Sequence, residues 1–143
     1  MTFQNLHSDI ECNCLNGTKE DFGSRYGLKT NKNQIRIVDF ESHWEKGKRP
    51  ESAACEEVCS YKGKSVSLIT DANLNEVTQI FKQLFPLSPK YKPFLTIVKF
   101  ADHTGTVKHT PDFINAHHHD FYKCDNFTFE NVSQLDSISL GDV

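Results

Sequence analysis

The segment from Leu74 to Phe85 limits the possible folds more than any other part of this chain. Leu74, Val77, Ile80, Phe81, Leu84 and Phe85 recur at spacings of three and four residues or their sums. That pattern draws one apolar stripe along a helix. Asn73 stands at the capping position, Glu76 follows at the third helical position, and Pro86 blocks continuation. A stripe of this kind must be covered, because burying each such side chain is worth about 1.5–3 kcal/mol. The obvious cover is Phe94–Phe100, a β-rich and nearly continuous apolar run that suits a central strand. The expectation is that the stripe packs on Leu95, Ile97, Val98 and Phe100.

Around this pair the remaining elements follow from local signals. Val66, Leu68 and Ile69 read as a strand ahead of the helix, and the span from Val66 to Phe100 is long enough for a parallel crossover. Ile35–Phe40 reads as a first strand. Ser42 followed by Glu45 fits a capping box for a short helical turn that Gly47 ends. Residues 52–61 read as a second helix with Gly63 as its stop, and 106–110 pairs back on 94–100 as a hairpin through the turn residues 102–105. The chain of 143 residues suits one domain. The expected fold is α+β: a small mixed β-sheet with helices on one face and one long amphipathic helix (74–85). Residues 1–33 read as an irregular N-terminal arm, 34–130 as the core domain, and 131–143 as an acidic C-terminal tail.

Cysteine and charge bound the setting. The five cysteines, at 12, 14, 55, 59 and 124, are odd in number, and residues 1–9 hold no basic or apolar stretch. Reduced thiols, a cytoplasmic location and a fold that needs no disulfide are expected. The sequons at Asn16, Asn126 and Asn131 then read as coincidence. No apolar run approaches the ~20 residues of a membrane span, so no membrane partner is expected. The net charge is −3, and residues 111–143 carry one lysine against six carboxylates. The densest basic stretch, Trp44 to Pro50, has carboxylates at Glu41, Glu45 and Glu51 beside it and reads as a solvated loop. There is no strong nucleic-acid signature.

Histidine is the anomaly. Five of the seven lie between His103 and His119, and Asp120 and Cys124 follow. Imidazole, carboxylate and thiolate make up the ligand set of zinc and related divalent metals, and imidazole is the usual acid–base group near neutral pH. In an extended segment His117 and His119 share a face while His118 opposes them. His109, His117 and His119, with Asp120 to orient an imidazole, are therefore the candidate catalytic group. His103, His109, His117 and His119 are the candidate metal ligands. Phe113 and Ile114 on one side, and Phe121 and Tyr122 on the other, are expected to anchor this loop in the core. Cys55 and Cys59 share a helix face, which suits either core packing or a half-site for metal.

No phosphate-binding glycine loop or nucleophile elbow is present. The leading expectation is a small intracellular interaction or accessory domain with a protein partner and no catalysis of its own. A small hydrolase or nuclease-like enzyme using the His/Asp cluster, metal-dependent or not, is the alternative, and a structural zinc-binding domain is the second.

Overall fold

In a computed structural model the described residues are 1–6 and 12–141, so residues 7–11 of the expected arm and 142–143 of the expected tail lie outside them. They form a six-stranded sheet and two helices: β1 (Arg25–Thr30), α1 (Cys55–Lys62), β2 (Lys64–Ile69), α2 (Leu74–Leu84), β3 (Phe94–Phe100), β4 (Gly105–His109), β5 (His118–Lys123) and β6 (Val132–Ser139). Three short 3₁₀ turns, Gln4–Leu6, Ile37–Phe40 and Phe129–Asn131, complete the regular structure. The chain is thus α+β.

The sheet is antiparallel throughout rather than mixed, in the order β4-β5-β2-β1-β3-β6. β1 makes the difference. It lies within the segment read as an irregular arm, yet it runs between β2 and β3, antiparallel to both. β2 and β3 are therefore parallel to each other, as a strand–helix–strand crossover requires, but are split by an intervening strand. β1 is hard to see because Arg-Tyr-Gly-Leu-Lys-Thr has few apolar residues. It works because Tyr26, Leu28 and Thr30 alternate onto one buried face. Gly27, opposite Ile97, meets the other face: a Cβ there would lie 2.7 Å from Leu95 Cδ1 and 3.2 Å from Ile69 Cδ1.

The expected first strand at 35–40 is instead a 3₁₀ turn, closed where the Arg36 N–H donates to Asp39 Oδ2 at 2.8 Å. It presents Phe40, fully buried, to the core. The capping box survives nearby: the Ser42 N–H donates to Glu45 Oε1 and the Glu45 N–H to Ser42 Oγ, and Gly47 takes a positive φ of 84°. The expected hairpin of 94–100 with 106–110 does not form. β4 pairs with β5 at one edge, while β3 lies near the other edge beside β6, a strand in the segment read as tail.

The short link from β3 to β4 is possible because the sheet curls. β3 and β5 are three strands apart, about 14 Å in a flat sheet, yet the rings of Phe100 and Phe121 stack at 4.0 Å between centroids. Inside the curl Tyr26, Leu28, Val66, Val98, Phe100, Val107, Phe121 and Val132 form the main core around Phe40. On the opposite face Val77 and Phe81 of α2 cover Leu95 and Ile97. The stripe thus meets only part of its expected partners, because strand alternation sends Val98 and Phe100 inside the curl. Leu84 is left 42% exposed. Asn73 gives no side-chain cap to α2. Its Oδ1 instead accepts the Thr70 N–H at 2.8 Å while its own N–H donates to Thr70 Oγ1, a reciprocal box one turn earlier.

Four of the five cysteines are paired, which corrects the expectation of reduced thiols. Cys12 bonds Cys55 and Cys14 bonds Cys59, each with Cα atoms 5.2 Å apart; Cys124 is free and buried. The odd count misled because one thiol is simply core: Cys124 packs with Phe3, Leu6 and Tyr122. The i, i+4 face of α1 carries two sulfurs, and both take their partners from the N-terminal segment. That segment is also held where Lys62 Nζ donates to the Leu6 carbonyl and the Asp125 N–H to the Thr2 carbonyl. Closing a loop with a disulfide typically stabilises by about 2–4 kcal/mol. Reduction is therefore expected to lower the thermal unfolding midpoint by several degrees. Calorimetry with and without reductant checks this, and equal midpoints would contradict it.

Candidate functional site

The clustered histidines divide into three places. His109 at the end of β4 and His119 in β5 are register partners, and their rings stack at 4.7 Å between centroids. His119 also meets the edge of the buried Tyr26 ring at 5.7 Å. Each ring is tied by its own N–H: His109 Nε2 donates to the Ala116 carbonyl at 2.8 Å, and His119 Nδ1 to the His117 carbonyl at 2.9 Å. Burial, then the neighbouring His109, pushes the His119 pKa down, so that ring is neutral near pH 7.

His117 does not join them. It lies just before β5, and its Nε2 reaches Glu76 of α2 at 3.0 Å. His103 sits in the β3–β4 link with a positive φ of 64°, beside Asp102 and Glu20. The four steps of β4 between Gly105 and His109 put about 13 Å between that link and the His109 end. His103, His109, His117 and His119 therefore do not share one coordination sphere. Among the described residues, Glu20, Asp102 and His103 are the one group of three metal-capable side chains close enough to share an ion, and all are exposed. Cys55 and Cys59, each in a disulfide, have no thiolate to offer.

Alternation along β5 turns His118 and Asp120 to the other face, toward Ser65 and Ser67 of β2. His118 Nδ1 donates to the Thr110 carbonyl at 3.0 Å. Asp120 is 4% exposed and its Oδ1 has no hydrogen-bond partner. Burial raises its pKa to about 6, against the opposing pull of His118, a hydrogen bond with the Thr110 side chain, and Lys108.

A lysine-lined concavity opens beside this pair. β1 and β2 stop pairing at Gly27–Ser67, although β1 continues to Thr30 and β2 begins at Lys64. At this splayed end lies a cleft of about 520 Å³. Its mouth gathers four lysines: Lys29 from β1, Lys64 from β2, and Lys46 and Lys48 from the turn after the Ser42 box. The uncharged donors Ser42, Ser65, Ser67 and Asn115 and the rings of His43 and His118 share the lining. The two carboxylates in it are Glu41 and Asp112. Phe81, Leu84 and Phe85 of α2 form an apolar wall.

The cleft is held rigidly. Asn115, 3% exposed, donates from Nδ2 to Ser67 Oγ at 2.8 Å and accepts the His117 N–H on Oδ1. Asp112 Oδ1 accepts the N–H groups of Ile114 and Asn115. The turn carrying Lys46 and Lys48 is tied down where the Trp44 N–H donates to the Tyr61 carbonyl and Lys123 Nζ meets Glu45 at 2.8 Å. Phe113 and Ile114, expected to anchor the loop, point outward instead, at 111% and 55% exposure. The polar Asn115 is the anchor, while Phe121 and Tyr122 are buried at the other end.

Electrostatics mark the cleft as short of negative charge. Burial, then Lys46 and Lys29, lowers the Lys64 pKa to about 8; Asp39 opposes them. Burial together with Lys48, Lys64 and Lys46 also lowers the pKa of His43. Sequence reasoning did not join these lysines, because Lys29 and Lys64 lie 35 residues apart and Lys46 and Lys48 stand among Glu41, Glu45 and Glu51. Only the split between β1 and β2 brings them together. No protein-family model, no curated protein and no solved structure matches this chain.

Asp120 supplies a test of this geometry. Its folded pKa is above the unfolded value, so the folded state binds the extra proton between about pH 4 and 6, and above that range the buried charge opposes folding. Asp120→Asn is expected to raise stability on the order of 1–3 kcal/mol at pH 7.5 and to change it little at pH 4. Chemical unfolding of both forms at the two pH values measures this. A variant that is less stable at pH 7.5 would show that the carboxylate is satisfied.

Proposed function

We propose that this protein is a binding domain, without catalysis of its own, that takes an anionic ligand into the cleft between the splayed ends of β1 and β2. The observation that carries the reading is the convergence of Lys29, Lys46, Lys48 and Lys64 on one walled concavity. Burial, and then the like charges gathered around it, already depresses the Lys64 pKa, so an anion there relieves repulsion as well as gaining charge-assisted hydrogen bonds. Ser42, Ser65, Ser67 and Asn115 add directional contacts of the kind that orient an oxyanion. The size of the cleft, about 520 Å³, suits a small molecule or a single headgroup.

A second reading, a small hydrolase, is favoured by one feature. Asp120, with its pKa near 6, stands on the same face of β5 as His118, which lines the cleft. Phosphate-ester turnover that Asp120→Asn abolishes while sulfate binding persists would select it. Two disulfides support maturation in an oxidising compartment rather than the cytoplasm. No helix of the described residues is long and apolar enough to cross a membrane.

Sulfate tests the reading, because its charge is constant across the range. Bound sulfate stabilises protonated Lys64, so affinity is expected to fall as pH rises from 7 to 9, above the ordinary histidine range. Near pH 8 binding is expected to take up protons. Lys64→Met is expected to weaken binding by about tenfold to a hundredfold and to flatten the pH profile. Titration calorimetry in two buffers of different ionisation heat reads all three. Affinity independent of both pH and Lys64 would reject the site.

A further inference from the structure

Beside the cleft the protein holds two large apolar side chains in water. Phe113 is 111% exposed and Ile114 is 55% exposed, next to each other at the tip of the loop between β4 and β5. Their neighbours on either side, Asp112 and Asn115, line the cleft, so the tip is part of its rim. Asp112 Oδ1 takes the N–H groups of Ile114 and Asn115, and Asn115 is fixed to Ser67, so the loop cannot readily fold the rings away. Two adjacent exposed apolar side chains, held on a loop at the edge of a cleft, offer a surface for contact. Leu84, 42% exposed, continues apolar surface along the α2 wall. A second rim carries Lys46 and Lys48, with Arg49 just beyond, its guanidinium 3.6 Å over the Trp44 ring.

The geometry points to an anionic lipid surface as the partner: a phosphate headgroup enters the lysine cleft while Phe113 and Ile114 insert beside it into the acyl boundary. This rests on the anion-binding reading above and names its ligand class. The shape favours a lipid over a peptide. The charged site, at about 520 Å³, is of a size to take a single headgroup. The apolar pair projects from the rim instead of lining a channel. Together they match a headgroup lying below an apolar layer. The cationic side chains of Lys46 and Lys48, which also line the recess, complement the negative surface of such a bilayer. The carboxylates facing the recess, Glu41 and Asp112, are fewer than the lysines, and Asp112 already accepts two backbone N–H groups.

The test uses the full chain with its disulfides intact. Co-sedimentation is measured with phosphatidylcholine vesicles and with the same vesicles containing phosphatidylglycerol; calorimetry with sulfate and with glycerol phosphate runs alongside. Wild type is expected to pellet with the anionic vesicles alone and to bind both soluble anions. The double variant Phe113→Ser/Ile114→Ser changes only exposed positions. It is expected to lose about tenfold or more in vesicle affinity while keeping its affinity for soluble anions. Lys64→Met is expected to weaken both. Soluble-anion binding without vesicle binding would overturn the lipid assignment, leave the anion site standing and assign the apolar tip to a protein partner. Equal binding to neutral vesicles, or an unaffected double variant, would also overturn it. Binding to neither class would remove the anion site as well.

Discussion

Everything in this fold depends on β1 being gripped from both sides. It pairs with β3 over six residue pairs and with β2 over three, and Tyr26 and Leu28 are fully buried. Gly27 makes the grip possible, because Leu95 and Ile69 close over the position where a side chain would stand. A larger residue there would push β2 and β3 off the strand they share. With β1 in place the crossover through α2 has a strand to span, and the sheet can curl until Phe100 reaches Phe121.

The unequal pairing of β1 is also the origin of the cleft. β1 follows β3 to its end but leaves β2 at Gly27–Ser67, and β2 leans instead on β5 through Lys64–Phe121. A continuous sheet would have filled this space with ladder hydrogen bonds. The split opens a recess whose lysines come from two strands and a turn, and whose floor is locked by the Asn115–Ser67 contact. The loop that carries the apolar tip also lines this recess, through Asp112 and Asn115.

The elements legible in the sequence are those that carry their own signal. α2 and β3 stand where periodicity puts them, α1 begins three residues late but ends near Gly63, and the Ser42–Glu45 box forms. β1, β5 and β6 were not legible, because each is stabilised by neighbours rather than by composition. β5 reads His-His-Asp-Phe-Tyr-Lys and is a strand because β2 and β4 flank it. β6 is an edge strand whose residues 133–136 are exposed on both faces, so polar residues suffice. The histidine cluster was visible as a cluster, and alternation already set His118 against its neighbours, but the separation of His117 from His119 was not legible. The strand face parts His118 from His119, and α2 draws His117 away through Glu76. Lys46 and Lys48 stood out within the basic stretch from Trp44 to Pro50, but nothing local tied them to Lys29 and Lys64.

The two disulfides have a consequence that their number conceals. Cys12–Cys55 spans 43 residues and Cys14–Cys59 spans 45, yet both join the same two short segments. Once either has formed, the other closes only the small ring through residues 12–14 and 55–59. Chain-entropy arguments then assign most of the tethering to whichever forms first. The second acts as an orientation lock. One bridge alone is a pivot about which the N-terminal segment can swing over α1; two bridges, a helical turn apart on one side and two residues apart on the other, remove that rotation. What the pair fixes is the angle at which residues 12–15 are laid against α1 and Tyr122.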